Sequence, residues 1–314
     1  MKTLLLGANG LLGRDLHEAL ARHPALELTP ATRDGRHGSG ALAESVELTS
    51  EAALSALLDR VAPQLIVNAA AYTAVDQAEL DEPLATRVNG DVPRQLGRWA
   101  AAHGALVVHY STDYVFDGSQ NAAYTPASPT APLGVYGRSK LAGERALQAS
   151  GAAHMIFRTA WLYGRHGPNF LFTMLRRAAE RAPLRVVDDQ HGTPTGTPRV
   201  AAGTCAALAR WLAAEAGERQ SMQGIHHLVA SGATTWHGFA TEIMAQASAA
   251  GLLDATPAIE AVDSAMFSAR ARRPRHAVLE NRGFTETFGA VLPPWQEDLR
   301  DFVQGLESLT PDWP

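Results

Sequence analysis

The sequence predicts an α/β fold in which a doubly wound parallel sheet carries helices on both faces. Short apolar runs alternate with amphipathic stretches through the first two thirds of the 314 residues, which is the pattern of alternating strands and helices. A glycine-rich turn joins the first apolar run to the first amphipathic stretch. The alternation ends after Tyr163, which indicates a smaller second lobe.

The apolar runs have the length of buried strands, and the stretches between them have helical spacing. Strands are predicted at 3–8, 26–32, 64–70, 105–112 and 154–163. Helices are predicted at 11–23, 51–61, 93–104 and 139–150. A helix at 200–216 and a strand at 225–231 are expected to extend the same sheet.

The composition is that of an ordinary globular chain, with 46% hydrophobic and 19% charged residues. The formal net charge of −5 gives no electrostatic reason to expect nucleic acid or an anionic membrane as a partner. No stretch approaches the ~18 apolar residues of a membrane span, and no cleavage site follows the apolar start of the chain. A single cysteine, Cys205, excludes an internal disulfide, so we expect a cytoplasmic location.

Gly7, Gly10 and Gly13 lie between the first strand and the first helix. Glycines at such a turn let the backbone approach a pyrophosphate, whose charge is stabilised at the helix N-terminus. A tight turn without a ligand is the simpler interpretation. The strand-turn-helix context nevertheless predicts dinucleotide binding, and with it a Rossmann-type sheet.

The end of the second strand bears on which dinucleotide binds. NAD enzymes place a carboxylate there, about 20 residues after the glycines, to bind the ribose 2′-hydroxyl. This strand ends at Arg33, and the first carboxylate is Asp34. Arg33 is therefore predicted to pair with the 2′-phosphate of NADPH. A solvated loop arginine also fits the sequence, so NADH stays possible.

The two lobes interleave along the chain. The dinucleotide-binding domain is predicted to comprise residues 1–168 and 198–230. A smaller C-terminal substrate-binding domain is predicted over 169–197 and 231–314.

Tyr136 and Lys140 are four residues apart at the start of a helix, so they share one helix face. Ser111 and Thr112 end the fourth strand, and ligands of such sheets bind at the carboxyl ends of strands. An ammonium beside a phenol is expected to lower the pKa of the phenol. A hydroxyl, a phenol and an ammonium beside a nicotinamide are the groups that carbonyl reduction needs.

Longer motifs resemble the extended short-chain dehydrogenase/reductase family and, within it, the dTDP-4-dehydrorhamnose reductase family. They are GANGLLG (7–13), NAAAYTAVDQAE (68–79), YSTDYVFDG (110–118), YGRSKLAGE (136–144), FRTAWLYG (157–164) and DQHGTPT (189–195). The Tyr-x-x-x-Lys pair marks the superfamily, whereas STDYVFDG and DQHGTPT are more specific to the narrower family.

The resemblance implies reduction of the C4 ketone of dTDP-4-dehydro-L-rhamnose with hydride from NADPH. It makes Tyr136 the proton donor, Lys140 the residue that lowers its pKa and holds the cofactor ribose, and Thr112 a partner of the sugar oxygen. Asp113 and Trp161 are implied substrate contacts. The implied cofactor-binding residues are Gly7, Gly10, Leu11, Leu12, Gly13, Arg33, Ala69, Ala70, Ala71, Tyr136 and Lys140.

Two positions depart from the family pattern. Some relatives form dimers around a magnesium ion held by acidic side chains. Asp15 matches one of these, but the turn at Thr197-Pro198 has no carboxylate, so no metal is predicted and a homodimer is left possible. His276 replaces the usual asparagine in the segment that begins at Arg272. Arg273 is predicted to neutralise the substrate diphosphate, although a solvated arginine run is equally compatible.

Two other functions fit parts of the sequence. A sugar-nucleotide epimerase or dehydratase with tightly held NAD would share the fold. Dehydratases carry Asp-Glu after the strand-end threonine, whereas Asp113 is followed by Tyr114. Epimerases usually carry the acidic residue that the second strand lacks. A regulatory subunit of the methionine adenosyltransferase type also shares the fold, and the intact Thr112, Tyr136 and Lys140 favour catalysis over it.

Overall fold

The computed structural model describes residues 1–306, and its centre is a seven-stranded parallel sheet. The strands are β1 (Lys2–Leu6), β2 (Glu27–Thr32), β3 (Glu44–Ser45), β4 (Leu65–Asn68), β5 (Leu106–Thr112), β6 (Ala153–Thr159), β7 (Leu162–Tyr163), β8 (Leu184–Val187), β9 (His191–Gly192), β10 (Thr195–Gly196), β11 (Gly224–His227), β12 (Thr234–Thr235) and β13 (Ile259–Val262). The large sheet has the order β11-β6-β5-β4-β1-β2-β3, and the remaining strands form the pairs β7–β10, β9–β12 and β8–β13.

Helices connect these strands and cover both faces of the large sheet. They are α1 (Leu11–Ala21), α2 (Glu51–Val61), α3 (Val75–Ala78), α4 (Glu82–Thr86), α5 (Val92–His103), α6 (Val135–Gln148), α7 (Phe170–Ala179), α8 (Thr197–Ala213), α9 (Ala216–Ser221), α10 (Trp236–Ala249), α11 (Arg282–Phe288) and α12 (Trp295–Gln304). A π-helical turn, Arg87–Asp91, joins α4 to α5, and 3₁₀ turns span Asp113–Val115 and Ser264–Met266. Within residues 1–306, no helix has the length and apolarity needed to cross a membrane.

The strand order reverses beside β1, which lies between β2 and β4. A crevice for a ligand opens at the carboxyl ends of strands where the order reverses. Leu4, Leu5 and Leu6 of β1 are fully buried because helices cover both faces of the sheet. The predicted α/β fold with a doubly wound parallel sheet is confirmed.

One predicted strand is interrupted. The apolar run at 154–163 forms β6 and β7, with a break at Trp161, whose φ of +46° lies in the left-handed region. An aromatic residue rarely adopts that conformation, so the surrounding packing must hold it. The turn carries the chain from the large sheet to β7, which pairs with β10.

Apolar side chains form a core on each face of the large sheet and a third core in the smaller lobe. In the third core, Phe172, Phe239 and Phe302 join α7, α10 and α12. Phe284 and Phe288 of α11 pack instead into a core of the large sheet, although they fall in the predicted range of the substrate-binding domain. The domain boundaries stay a prediction, and residues 307–314 of that range lie outside the described part of the chain.

Candidate active site

The glycine turn after β1 packs against the end of β4. Gly7 has a φ of +75°, and a Cβ there would lie 2.7 Å from the backbone nitrogen of Ala70. A Cβ on Gly13 would lie 2.0 Å from the carbonyl oxygen of Gly7, so a side chain is excluded at both positions. The structure therefore brings Gly7 against Ala69 and Ala70, two of the three alanines that are predicted to line the cofactor.

The N-terminus of α1 has the form of an anion site. Gly10 is its extended N-cap residue, and no side chain of the described chain caps the first turn. The backbone amides of Leu11 and Leu12 begin the helix, where free N–H groups and the helix dipole favour a negative charge. These residues fit the pyrophosphate of a dinucleotide.

The loop after β2 presents cations beside this turn. The side chain of Arg33 is 87% exposed, with Nε 3.7 Å from Oε2 of Glu47. Asn9 fixes the loop: its Nδ2 donates to the carbonyl of Arg36, and its Oδ1 accepts from the amide of Gly38, both at 2.8 Å. The role of Asn9 was missed at the sequence level, because a glycine-rich turn gives no indication of what its non-glycine side chains contact.

Thr112, Tyr136 and Lys140 converge at the carboxyl edge of the large sheet. The Thr112 hydroxyl, at the end of β5, hydrogen-bonds with the phenol of Tyr136 on α6 and also donates to Oδ1 of Asp113 at 2.9 Å. One turn along α6, Nζ of Lys140 donates to the backbone carbonyl of Tyr110 at 2.6 Å. The predicted convergence is therefore present in the structure.

Burial sets the protonation of these groups. It raises the pKa of Tyr136 to about 12 and lowers the pKa of Lys140 to about 8. The sequence predicts that Lys140 lowers the phenol pKa, and the structure gives the opposite direction, because desolvation outweighs other influences. At neutral pH the phenol is protonated and can donate its proton.

Asp113 is fully buried beside this group. Desolvation raises the pKa of Asp113 to about 7, although the hydrogen bond from Thr112 acts to lower it. Its Oδ2 has no hydrogen-bond partner among the described residues, although it is buried. An unpaired buried carboxylate oxygen is costly, and a hydroxyl of a bound ligand would satisfy it.

A cleft of about 650 Å³ is lined mainly by residues of the smaller lobe, with Asp76 of α3 on its other side. Trp161 does not line it directly but stacks on Trp236, with ring centroids 3.7 Å apart and planes 7° from parallel. Tyr114 links the cleft to the phenol: its ring packs edge-on against Tyr136 at 5.5 Å, and its hydroxyl contacts Arg273. The lining includes Asp76, Phe170, Arg185, Gln190, Trp236 and Arg273.

Arg273 is neither free nor solvated. Its NH2 lies 2.7 Å from Oδ2 of Asp76, and its NH1 donates to the carbonyl of Ala271 at 3.3 Å. The side chain is therefore paired and partly buried instead of free in solvent. Its predicted contact with a substrate diphosphate stays a prediction, in which the phosphate would share the guanidinium with Asp76.

Two further residues that position α6 were missed at the sequence level. Oε1 of Glu79 accepts from the backbone N–H of Val135 at 2.8 Å and so caps α6. Nδ2 of Asn89 donates to the hydroxyl of Ser139 at 3.0 Å, and Asn89 also binds both backbone polar groups of Tyr72. Asn89 lies in the π-helical turn, and Asn-Gly within a helical pattern is the sequence signal that marks such an interruption.

Known proteins resemble the chain over its length. The family model described as "RmlD substrate binding domain" matches residues 1–308. The chain belongs to this family. A curated family relative from Shigella flexneri, named dTDP-4-dehydrorhamnose reductase, is 39% identical over 310 residues, which cover 99% of each chain.

Solved structures agree with this family assignment. A dTDP-4-dehydrorhamnose reductase from Clostridium acetobutylicum superposes with a TM-score of 0.83 at 32% identity, covering 96% of this chain and 98% of its own. The enzyme of the same name from Bacillus anthracis, solved in complex with NADP, gives a TM-score of 0.82 at 29% identity with the same coverage. The resemblance predicted from the motifs is confirmed.

Asp15, which the sequence analysis compares with a metal ligand of some relatives, has a partner within the chain. Asp15 on α1 accepts a hydrogen bond from the Thr197 hydroxyl at 2.5 Å, and burial raises the pKa of Asp15. Among residues 1–306, no three His, Cys, Asp or Glu side chains group as a metal site.

The buried Asp113 predicts a pH-dependent gain in stability for Asp113→Asn. The pKa of Asp113 is raised above its ordinary value of 3.8 to about 7. The stability that this carboxyl group contributes is therefore fully present below pH 3.8, and it is lost as the pH rises through about 7. Asparagine keeps the acceptor for Thr112 and carries no charge. We expect the melting temperature of Asp113→Asn to exceed that of the parent at pH 8 and not at pH 5.

Asp117→Asn is the matched control, because hydrogen bonds from Ser119 lower the pKa of Asp117. That variant should gain no stability at pH 8. A melting curve for Asp113→Asn that follows the parent at both pH values would refute the assignment of a charged, desolvated Asp113.

Proposed function

We propose that this chain is an NADPH-dependent oxidoreductase that reduces the C4 ketone of dTDP-4-dehydro-L-rhamnose to the alcohol of dTDP-L-rhamnose. The observation that carries the proposal is the convergence of Thr112, Tyr136 and Lys140 at the carboxyl edge of the sheet, where burial keeps the Tyr136 phenol protonated. Curated family relatives named dTDP-4-dehydrorhamnose reductase support the substrate. The single cysteine supports a cytoplasmic location.

The chain's own residues supply the proton and the positioning. Bound NADPH supplies the hydride that the carbonyl carbon gains. Tyr136 gives its phenolic proton to the carbonyl oxygen. The Thr112 hydroxyl, which donates to Asp113 in this structure, would turn its one proton to the same oxygen as negative charge develops there. Lys140 would hold the cofactor ribose, and in its charged form it would stabilise the tyrosinate that remains.

The cleft fits a sugar nucleotide. Oδ2 of Asp113 is a buried acceptor without a partner among residues 1–306, which suits a sugar hydroxyl. The indole of Trp236, backed by Trp161, offers an apolar wall, and the guanidinium groups of Arg185 and Arg273 line the same cleft for the diphosphate. The backbone amides at the start of α1 and the exposed Arg33 suit the pyrophosphate and the 2′-phosphate of NADPH.

The other functions lack this support. The residue after Asp113 is Tyr114, so the carboxylic acid that dehydratases carry at this position is missing. A regulatory subunit would need no buried proton donor beside a cofactor turn. The exact sugar and base belong to the proposal, since one curated family relative is named a probable 4-ketoreductase of a different dTDP-sugar. A homodimer stays a prediction.

Turnover with Tyr136→Phe tests the reaction and the proton donor together. The parent should oxidise NADPH with dTDP-4-dehydro-L-rhamnose faster than with the UDP- and GDP-linked keto-sugars. Tyr136→Phe should keep NADPH affinity and lose roughly 10²–10⁴-fold in kcat, because only the proton donor is removed.

Tyr124→Phe is the control, since it deletes a tyrosine hydroxyl that bonds to Asp117 instead of the site. That variant should turn over like the parent. If Tyr136→Phe also stays within a few-fold of the parent, Tyr136 is not the acid. A parent without NADPH oxidation on any keto-sugar would contradict the proposed reaction itself.

Arg33→Ala tests the choice of cofactor. A charged hydrogen bond contributes about 1.5–3 kcal/mol, so removing the guanidinium should weaken NADPH by roughly 10- to 100-fold and NADH hardly at all. Dissociation constants for both cofactors measure this. Arg22→Ala is the control, because Arg22 is equally solvated and pairs with Glu18 at the far end of α1. Equal losses for the two cofactors would leave Arg33 without a role in the choice.

A further inference from the structure

The Lys140 amine faces a buried imidazole. Its Nζ donates to the carbonyl of Tyr110 at 2.6 Å and lies 3.4 Å from Nε2 of His109 on β5. Both side chains are nearly inaccessible, with 1% of His109 and 2% of Lys140 exposed. An imidazole nitrogen beside an amine either accepts a proton from it or donates one to it, and the tautomer of the ring decides which.

Asn68 fixes that tautomer. Its Oδ1 accepts from the backbone N–H of Ala70 at 3.3 Å, so its Nδ2 is the atom that faces His109, 3.1 Å from Nδ1. An amide NH₂ only donates, so Nδ1 of His109 accepts and carries no proton. Burial and the nearby Lys140 hold the pKa of His109 well below its ordinary value against a backbone contact with Asn68, so the ring is neutral. With Nδ1 as the acceptor of the Asn68 amide, the one proton of the ring belongs to Nε2.

If the Nε2–H of His109 points at Nζ, it stabilises the neutral amine, because the lone pair of the amine accepts the hydrogen bond. The same N–H disfavours the ammonium form, which has no lone pair to accept it. We propose that His109, held by Asn68, is a positioning residue that favours the neutral form of Lys140 and sets the pH at which this amine becomes charged. We call the three residues the Asn68–His109–Lys140 relay. Its importance for reduction rests on the proposed function, since a charged Lys140 would stabilise the tyrosinate left by Tyr136.

Charges on the surrounding elements act alongside the relay. The carboxylate of Glu144, one turn further along α6, raises the pKa of Lys140, but both of its oxygens are bonded by Arg158 at 2.9 and 2.7 Å. Desolvation outweighs that effect, and the pKa of Lys140 is lowered to about 8. Titratable groups on α6, on β5, on β6 and in the Asp113–Val115 turn, which pack together around the amine, include His109, Tyr110, Asp113, Tyr114, Tyr136, Glu144 and Arg158.

The sequence permits a direct measurement because it contains two lysines, Lys2 and Lys140. Lysine labelled with ¹³C at Cε gives two signals, and the exposed Lys2 at the start of β1 is the internal reference. The titration is followed by NMR on the full chain without substrate or cofactor. Its outcome is therefore independent of whether the proposed reaction is correct.

His109→Phe keeps a flat ring and removes both nitrogens. The Lys140 midpoint should rise by roughly 0.5–1 pH unit, which is the effect of one neutral hydrogen bond made to a single protonation state. The Lys2 curve should superpose on that of the parent. His226→Phe is the matched control: it removes another buried imidazole of the same sheet, bonded to the Met222 carbonyl, and should leave both curves unchanged.

Asn68→Asp tests the same relay if His109→Phe does not fold. A carboxylate accepts from Nδ1–H, so it moves the ring proton to Nδ1 and turns Nε2 into an acceptor for the ammonium. The Lys140 midpoint should then rise further than in His109→Phe. In the parent, ¹H–¹⁵N correlation of the His109 ring should show the proton on Nε2. A proton on Nδ1, or a midpoint that falls or stays unchanged in the variants, would overturn the relay.

Discussion

The buried Lys140 amine is the constraint on which the rest of the site depends. A desolvated amine needs fixed hydrogen-bond partners, and its bond to the Tyr110 carbonyl ties α6 to the end of β5. Because Tyr136 lies one turn earlier on the same helix, that bond also brings the phenol to the hydroxyl of Thr112. The carboxyl ends of parallel strands lie along one edge of the sheet. The glycine turn, the Thr112 hydroxyl and the Tyr136 phenol therefore lie at the same edge.

The helix that carries Tyr136 is fixed along its length by polar contacts from other elements. Glu79 caps its first turn, Asn89 reaches it from the π-helical turn, and Glu144 anchors its second half to Arg158 on β6. The Glu144–Arg158 pair is almost wholly buried, so its desolvation cost offsets much of its attraction, but removing one partner would leave an unpaired buried charge. Such contacts specify one position for α6 more than they add stability.

Desolvation moves the site groups in a common direction, toward their uncharged forms. Burial raises the pKa values of Tyr136 and Asp113 and lowers that of Lys140. A site of low polarity strengthens each remaining hydrogen bond to a developing alkoxide. It also explains why small differences, such as which nitrogen of His109 carries a proton, can decide the charge of the Lys140 side chain.

The sequence by itself determined the parallel α/β fold, the glycine turn and the convergence of Thr112, Tyr136 and Lys140. These follow from local periodicity and from the rule that ligands bind at the carboxyl ends of strands. Only the tertiary structure decided the direction of the Tyr136 pKa, the pairing of Arg273 with Asp76 and the break at Trp161. Each of these three features depends on burial or on a partner distant in the chain. Burial and distant partners cannot be read from the spacing of residues along one element.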